Sequence, residues 1–347
     1  MLKTIFRKLN VFFDSFKEVF LALFIFVSII VLIASVIHNV LKIGEISSYQ
    51  GNYRKLVQVL GNKMMNVYVA GRGEKTIVIL PDFGYQSPVI QYKPIVDSLR
   101  ENYRVVVIEY FGYGFSMGVD EERTNENIVS EIKKALEEVE VYDNYILMPH
   151  GTSNIYAMNY AKQYPDKVQA IVSIDGRYPG EINEINLENE LNDFKNNIVA
   201  NYVFEFTGIF RILSYVKPDF FNIDKMQEAG TYTYDDIKVY RNRIGSSYLT
   251  GTMIKEIRNL KTNMEELKDY RYDQNLPVLN ILSTKNIEKY SEYKKDNLIT
   301  KDINMIIDDI VTNSDIQKVV EINGDIAIEL TNADEIVASV RTFVNSF

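Results

Sequence analysis

Short apolar runs alternate along this chain with longer stretches of helical periodicity. The runs are short enough to be buried strands, whereas the stretches between them repeat apolar residues every three or four positions. The predicted strands are residues 56–60, 64–70, 76–80, 104–110, 145–148, 168–174, 276–283 and 319–322, and the helices flanking them are 91–100, 124–139, 155–164 and 334–347. This order predicts an α/β fold with a mostly parallel sheet and helices on both faces.

Residues 19–41 form one apolar run, VFLALFIFVSIIVLIASVIHNVL. A bilayer is crossed by about 20 apolar residues. The alternative is a buried core helix, which we do not favour because the run is apolar all round and has no polar face. A cleaved signal peptide has a shorter apolar region of about 7–15 residues, although Ala34-Ser35 would offer a small-residue cleavage site. The run predicts an uncleaved transmembrane helix whose partner is the lipid bilayer.

Basic residues on the two sides of this run indicate its orientation. Those upstream are Lys3, Arg7, Lys8 and Lys17, and those shortly downstream are Lys42, Arg54 and Lys55. The slight upstream excess predicts a cytoplasmic segment at residues 1–18 and an extracellular C-terminal domain, because positive residues favour the cytoplasmic side. We therefore expect a single-pass protein of the cell membrane.

Composition excludes several kinds of function. The net charge is −9 and the chain has no cysteine. Scattered basic residues on an acidic chain argue against nucleic-acid binding, and without cysteine there is no disulfide, thiolate metal site or cysteine nucleophile. The carboxylate clusters have the pattern of solvated surface, so we expect no metal and no cofactor.

Residues 145–175 read as strand, sharp turn, helix and strand. This stretch resembles the nucleophile elbow of the α/β-hydrolase family, in which a G-x-S-x-G turn exposes a serine between strand and helix. The helix after that elbow typically ends in Tyr-Pro, as Tyr164-Pro165 does here. Counting back by the usual helix length places the nucleophile on Gly151, so that the family's H-S-x-G-G reads HGTSN at residues 150–154. The resemblance implies that glycine has replaced the serine.

Three further stretches resemble the same family in the same order. Residues 80–84 match its loop after the third strand, residues 110–116 (YFGYGFS) match its D-x-x-G-x-G-x-S turn, and residues 122–127 resemble the start of its next helix. The resemblance implies an α/β-hydrolase fold and a ligand pocket at the elbow. The implied pocket residues are Asp82, Phe83, Gly84, His150, Gly151 and Thr152.

The family also implies a domain division. Residues 42–179 would form the first part of the core, residues 180–275 a helical cap, and residues 276–347 the second part of the core. The expected cap helices are residues 182–199, 204–216, 233–249 and 252–265, and most aromatic residues there read as packing residues.

Serine hydrolysis on this fold needs a serine, a histidine base and an acid that orients the histidine. The chain has two histidines, His38 in the apolar run and His150 in the elbow. The resemblance places the base at Ile326, which cannot accept a proton, and the acid at the amide Asn286. Asp82 adjoins the implied oxyanion donor Phe83, where a carboxylate would oppose a developing negative charge.

A shifted register would make Ser153 the nucleophile, because Gly151-Thr-Ser153 also puts a serine two residues after a glycine. The branched Ile155 would then crowd the turn, and Ser153 would lie in the first turn of the helix, where serine usually caps or packs. His150 is also too close along the backbone to serve easily as its base. We therefore favour Gly151.

These observations predict a membrane-anchored, catalytically inactive pseudo-hydrolase. It would bind a hydrophobic or acyl-like small molecule under the cap, or a membrane protein partner. The alternative is a hydrolase of ester or acyl-type substrates with an unconventional active site. A third interpretation is a membrane scaffold whose pocket is vestigial.

Overall fold

The computed structural model describes residues 2–48, 53–183, 197–296 and 299–347. The strands are β1 (Leu56–Leu60), β2 (Lys63–Ala70), β3 (Thr76–Leu80), β4 (Arg104–Glu109), β5 (Tyr145–Pro149), β6 (Val168–Ile174), β7 (Val278–Ser283) and β8 (Gln317–Ile322). The first helices are α1 (Leu2–Ser48), α2 (Pro88–Gln91), α3 (Lys93–Leu99), α4 (Asn125–Glu138) and α5 (Ser153–Gln163). Between β6 and β7 follow α6 (Ile198–Thr207), α7 (Ile209–Val216), α8 (Ile223–Glu228), α9 (Tyr234–Ser247) and α10 (Gly251–Glu265), which we call the insertion. The last helices are α11 (Thr284–Lys295), α12 (Ile303–Asp308), α13 (Ile328–Thr331) and α14 (Ala333–Val344).

All eight strands form one sheet in the order β1-β2-β4-β3-β5-β6-β7-β8. The pairs β1–β2 and β2–β4 are antiparallel, and every later pair is parallel. The carboxyl ends of β3, β5 and β6 therefore meet at one edge of the sheet, where ligand sites of open α/β sheets form.

Apolar residues of the strands point alternately to two cores. In β4, Val106 and Ile108 belong to the core under α4, α5 and α10, whereas Val105 and Val107 belong to the core under α3 and α14. Two covered faces explain why the strands read as nearly continuous apolar runs. The predicted fold, a mostly parallel sheet with helices on both faces, is confirmed.

Some predicted helices were wrong in detail. The helix expected at residues 91–100 is divided into α2 and α3 around Tyr92. The helix expected at residues 204–216 is broken into α6 and α7 by Gly208, which has a φ of +76°. Left-handed backbone ends a helix, and glycine adopts it at little cost. Of the helix expected at residues 182–199, the structure describes a 3₁₀ turn at Pro179–Asn183 and the start of α6. The remainder lies outside the described residues.

The sequence pattern did not reveal α11 and α12. Most of α11 is polar, TKNIEKYSEYKK, so it lacks a strong apolar stripe. Its N-terminus is instead fixed by Ser283, whose side chain accepts a hydrogen bond from the Asn286 backbone N–H. Capping by serine is a local signal that hydrophobic periodicity does not contain.

Among the described residues, one helix is long and apolar enough to cross a membrane. This is the part of α1 from Lys17 to Glu45, which contains an 18-residue window with a mean hydropathy of 3.2. Most of its side chains are exposed, and the residues that pack against the rest of the protein, including Ser35 and His38, lie toward its C-terminal end.

Candidate functional site

The turn between β5 and α5 is held by backbone hydrogen bonds to both neighbouring strands. The His150 N–H donates to the Leu80 carbonyl and the Gly151 N–H to the Ile174 carbonyl, each at 2.9 Å. Gly151 has a φ of +50°, a conformation that suits glycine. The chain therefore makes the sharp corner of an elbow at residue 151, where the sequence placed it.

The Asp82 carboxylate lies against this corner. Its Oδ1 accepts hydrogen bonds from the Phe83 N–H at 2.6 Å and from the Thr152 N–H at 2.7 Å. A Cβ atom added to Gly151 would overlap this carboxylate. In a nucleophile elbow, the N–H after the nucleophile and an N–H of the loop after β3 form the oxyanion hole. Asp82 thus occupies both the space of the missing side chain and the two donors of that hole.

His150 is buried beside the same corner, among tyrosines. Its Nδ1 is 2.9 Å from the Tyr92 hydroxyl and 3.3 Å from the Tyr85 hydroxyl. Burial raises the pKa of both tyrosines well above the usual value, so their hydroxyls are neutral at pH 7. The Tyr85 hydroxyl also donates to Glu329 Oε1 at 2.8 Å, and burial raises the pKa of Glu329 as well.

A second buried carboxylate, Asp175, follows the end of β6. Its Oδ1 accepts from the Ser283 N–H at 2.8 Å and from the Asn286 side-chain amide at 3.1 Å. Burial raises the pKa of Asp175, and the hydrogen bonds from Ser283 partly oppose this rise. The position predicted for the acid thus holds an amide that donates to an acid on the neighbouring strand.

The predicted base position does not face this cluster. Ile326 is 51% exposed, whereas Glu329, three residues later, is 1% exposed and reaches Tyr85. Glu329 was not predicted because the family pattern implies a histidine in this loop, and Asp175 was not predicted because that pattern implies an acid after β7. Tyr85 and Tyr92 belong to no recognised motif, although Tyr85 lies in the same loop as Asp82 and Tyr92 directly follows α2.

Ser153 begins α5 and is 1% exposed. Its hydroxyl donates to the Pro81 carbonyl and lies 2.9 Å from the Tyr110 hydroxyl. Both contacts point into the protein and fix α5 against the end of β3. Within the described residues, no group of three or more His, Cys, Asp or Glu side chains is arranged to hold a metal ion.

Comparison with known proteins gives partial matches in sequence and broad matches in structure. No family model matches this chain. It is 33% identical over 120 residues to the uncharacterized protein YbdG of Bacillus subtilis, which covers 35% of this chain and 37% of YbdG. It is 25% identical over 118 residues to a cis-3-alkyl-4-alkyloxetan-2-one decarboxylase of Shewanella oneidensis, covering 33% of this chain and 36% of the decarboxylase. The chain thus matches little more than a third of the length of these curated relatives.

Among solved structures, the chain is similar to an epoxide hydrolase from Vigna radiata. The two share 17% sequence identity with a TM-score of 0.62, over 84% of this chain and 98% of the epoxide hydrolase. Identity at this level speaks for the fold and leaves the activity open. The strand order, the elbow at Gly151 and this similarity show that the chain has the fold of the α/β-hydrolase superfamily.

Proposed function

We propose that this protein is a membrane-anchored member of this fold that does not perform serine-type acyl transfer and instead binds a small molecule at the elbow. The observation that carries the proposal is the Asp82 carboxylate on the Phe83 and Thr152 amides. Attack on an ester builds negative charge on the carbonyl oxygen, and one amide donor lowers that barrier by about 3–4 kcal/mol. Here both donors are taken by an anion, which would repel the developing oxyanion.

The anchor in this proposal is α1. Its segment from Lys17 to Glu45 contains an 18-residue window with a mean hydropathy of 3.2 and exposes apolar side chains around its circumference. Such a helix is stable in a bilayer, where its backbone groups are satisfied internally. In this arrangement α1 crosses the membrane once, with residues 1–18 in the cytoplasm and the folded domain outside the cell.

The same carboxylate suggests which ligands would bind. A site that presents Asp82 in place of two amide donors favours a cationic or hydrogen-bond-donating head group over a carboxylate. The insertion would act as a cap and cover an apolar tail. The expected ligand is therefore an amphiphile whose head group donates hydrogen bonds, which is a narrower class than the acyl-like molecules expected from the sequence.

Ligand class can be tested on the full chain in detergent micelles with three molecules of equal chain length: hexylamine, hexanol and hexanoate. We expect hexylamine to raise the thermal unfolding midpoint most and hexanoate least. Asp82→Asn should remove the preference for hexylamine, because it removes the negative charge and nearly preserves the side-chain shape. Equal shifts with hexanoate and hexylamine, or none with any of the three, would contradict the proposed ligand class.

Activity is tested by fluorophosphonate labelling and turnover of short-chain p-nitrophenyl esters. We expect neither in the natural protein. The matched variants are Gly151→Ser alone and Gly151→Ser with Asp82→Gly. Only the second variant makes room for the serine side chain and frees the two amides. Labelling of the natural chain would refute the proposal, and the labelled residue would identify the nucleophile.

The alternative function, a hydrolase with an unconventional site, is favoured by one feature of Asp82. A carboxylate nucleophile would attack an electrophilic carbon through Oδ2, the bond from that carbon to its leaving oxygen would break, and the leaving oxygen would take up a proton. Water would then attack the carboxyl carbon of the resulting ester, and the charge would form on Oδ1, which already faces two amides. The bond from the carboxyl carbon to Oδ2 would then break, so that Oδ2 leaves in a hydroxyl of the product and the oxygen of water remains in the Asp82 carboxylate. The resemblance to an epoxide hydrolase makes epoxides the first substrates to try.

Isotope labelling distinguishes the two functions. Repeated turnover of an epoxide in H₂¹⁸O would place ¹⁸O in the Asp82 carboxylate, because water attacks the carboxyl carbon. Peptide mass spectrometry would detect it, with Asp82→Asn as the inactive control. We expect no incorporation, and incorporation at Asp82 would establish the hydrolase instead.

A further inference from the structure

Helices α6 and α7 present large apolar side chains to the outside. Those more than half exposed on these helices and the turn after them are Val199, Phe206, Ile212, Tyr215, Val216 and Phe220. Soluble monomers rarely leave large apolar patches uncovered. In α6 the single charged residue, Glu205, pairs with Lys42 of α1 at 3.2 Å. We call the six exposed residues the apolar patch.

The patch lies beside the C-terminal end of α1. The Asn39 side-chain amide donates to the Phe206 carbonyl at 3.3 Å. Arg211 of α7 binds Glu45 with two hydrogen bonds of 2.6 and 2.8 Å. Gly208, between α6 and α7, leaves the space that the His38 ring fills. These contacts fix the insertion against the last turns of α1.

The position along α1 gives the depth of the patch. An α-helix rises about 1.5 Å per residue, so some 20 residues span a hydrocarbon core of about 30 Å. The apolar run ends at Leu41 and is followed by Lys42 and Glu45. A helix packed against residues 38–45 therefore lies at the membrane–water interface, the level at which aromatic side chains are enriched.

We propose that the apolar patch is inserted in the interface of the bilayer that α1 crosses, and that its partner is the lipid of the leaflet nearest the folded domain. This inference rests on the proposed membrane anchor. The insertion would then be held at two places, by α1 through the bilayer and by α6 and α7 within its surface. Amphipathic helices bind membrane surfaces through such apolar faces.

This placement connects the membrane to the elbow. The insertion reaches the loop that carries Asp82 through α9, where the Tyr240 hydroxyl donates to Gln86 Oε1 at 3.2 Å. The same hydroxyl lies 3.2 Å from the Phe221 carbonyl oxygen, next to Phe220 of the patch. An amphiphile dissolved in the leaflet would thus contact the insertion before it left the bilayer for water.

The chain contains no tryptophan, so single tryptophans can report depth in the full-length protein. Phe206→Trp and Phe220→Trp place the reporter in the patch, and two positions ensure that the result does not depend on one substitution. Tyr142→Trp is the matched control, because Tyr142 is also exposed but lies just before β5, at the end of the parallel strands opposite to the elbow. Val27→Trp reports on the middle of α1. Each variant is reconstituted in phosphatidylcholine vesicles whose acyl chains carry bromine near the head group or near the tail.

We expect the two patch tryptophans to be quenched by bromine near the head group and to emit at shorter wavelength than the tryptophan at position 142, which should be unaffected. The tryptophan at position 27 should be quenched by bromine near the tail. Quenching at position 27 without quenching at either patch position would overturn the interface proposal and leave the anchor intact. Quenching at neither would overturn both. Patch tryptophans protected from aqueous acrylamide but not quenched by bromine would mean that protein, such as a second copy, covers the patch.

Discussion

Polar side chains usually lie at the surface of a protein and apolar ones inside it, and the elbow and the apolar patch both depart from this rule. The elbow buries polar groups, whereas the patch exposes apolar ones. Around the elbow, carboxylates and a histidine are buried, and Asp82, Asp175 and Glu329 each accept hydrogen bonds from the protein. On the patch, aromatic and aliphatic residues are exposed next to an apolar helix. Buried polar groups are stable where donors satisfy them, and exposed apolar groups where something other than water covers them.

The two regions also differ in what each retains from its fold. The elbow keeps the geometry of a catalytic corner, including the positive φ at Gly151, but its hydrogen-bond donors serve the protein's own carboxylate. The patch has no counterpart among the elbow motifs and depends on its contacts with α1. The elbow thus combines the backbone geometry of a catalytic corner with different side-chain chemistry, whereas the patch is positioned by its contacts with α1.

The largest expected effect is that of filling the space at the elbow. Gly151→Ser should lower the free energy of unfolding by about 3 kcal/mol, because its side chain displaces Asp82 from two amides. Gly61→Ser is the matched control, since Gly61 has a φ of +52° but open space around it, and it should cost about 1 kcal/mol. Unfolding midpoints in micelles measure both. Adding Asp82→Gly should recover much of the loss, and equal costs at both glycines would contradict the position of Asp82.

A pH effect of similar size is expected near the elbow. Burial raises the pKa of Glu109 to about 7, against hydrogen bonds from Phe115, Val89 and Asn66. This pKa is raised above its usual value of 4.5, so the folded protein holds the Glu109 proton more tightly than the unfolded chain does. The resulting stabilisation of the folded state is therefore complete below pH 4.5, and it is lost as pH rises through about 7. The free energy of unfolding should fall by about 3 kcal/mol over this pH range. Glu109→Gln should flatten the pH dependence of the unfolding midpoint over this range, and the exposed Glu121→Gln should not. An unchanged slope in Glu109→Gln would contradict the prediction.

A smaller and more local effect is expected where the insertion meets α1. Arg211→Ala should cost about 2 kcal/mol, because it leaves the partly buried Glu45 without its bidentate partner. Hydrogen exchange should become faster in α6 and α7 and remain unchanged in the central strands. Arg241→Ala is the control on the same insertion. It removes a guanidinium whose Cζ lies 4.3 Å from the centre of the Tyr215 ring. Faster exchange throughout the sheet would mean that the contact supports the whole fold.

The smallest effect is expected at Ser153. Ser153→Ala should cost about 1 kcal/mol, because it removes hydrogen bonds to Pro81 and Tyr110. It should change neither fluorophosphonate labelling nor any turnover. Loss of a measurable activity in this variant, with its unfolding midpoint lowered no further, would show that Ser153 is the nucleophile after all.

Much of the fold could be predicted because its signals are local. The apolar runs located every strand of the sheet, and Gly151 could be placed at the corner from its distance to Tyr164-Pro165. The break at Gly208 was missed because a single glycine within a helical pattern is often tolerated. Of the site, Asp82 was identified as a departure from pattern, but its contact with Thr152 joins residues far apart in sequence and no local pattern contains it. Glu329 was missed because the family pattern implies a histidine in its loop, and its contact with Tyr85 also joins residues far apart in sequence.

The sequence by itself determined the order of elements, the apolar segment at residues 19–41 and the absence of any histidine after His150, because composition and periodicity are properties of the chain alone. The tertiary structure decided which groups meet. It placed the Asp82 carboxylate on the amides of the elbow, turned Glu329 inward and Ile326 outward, and set α6 beside the end of α1. These contacts follow from how the helices and loops pack around the sheet, and packing brings together residues that the sequence keeps apart.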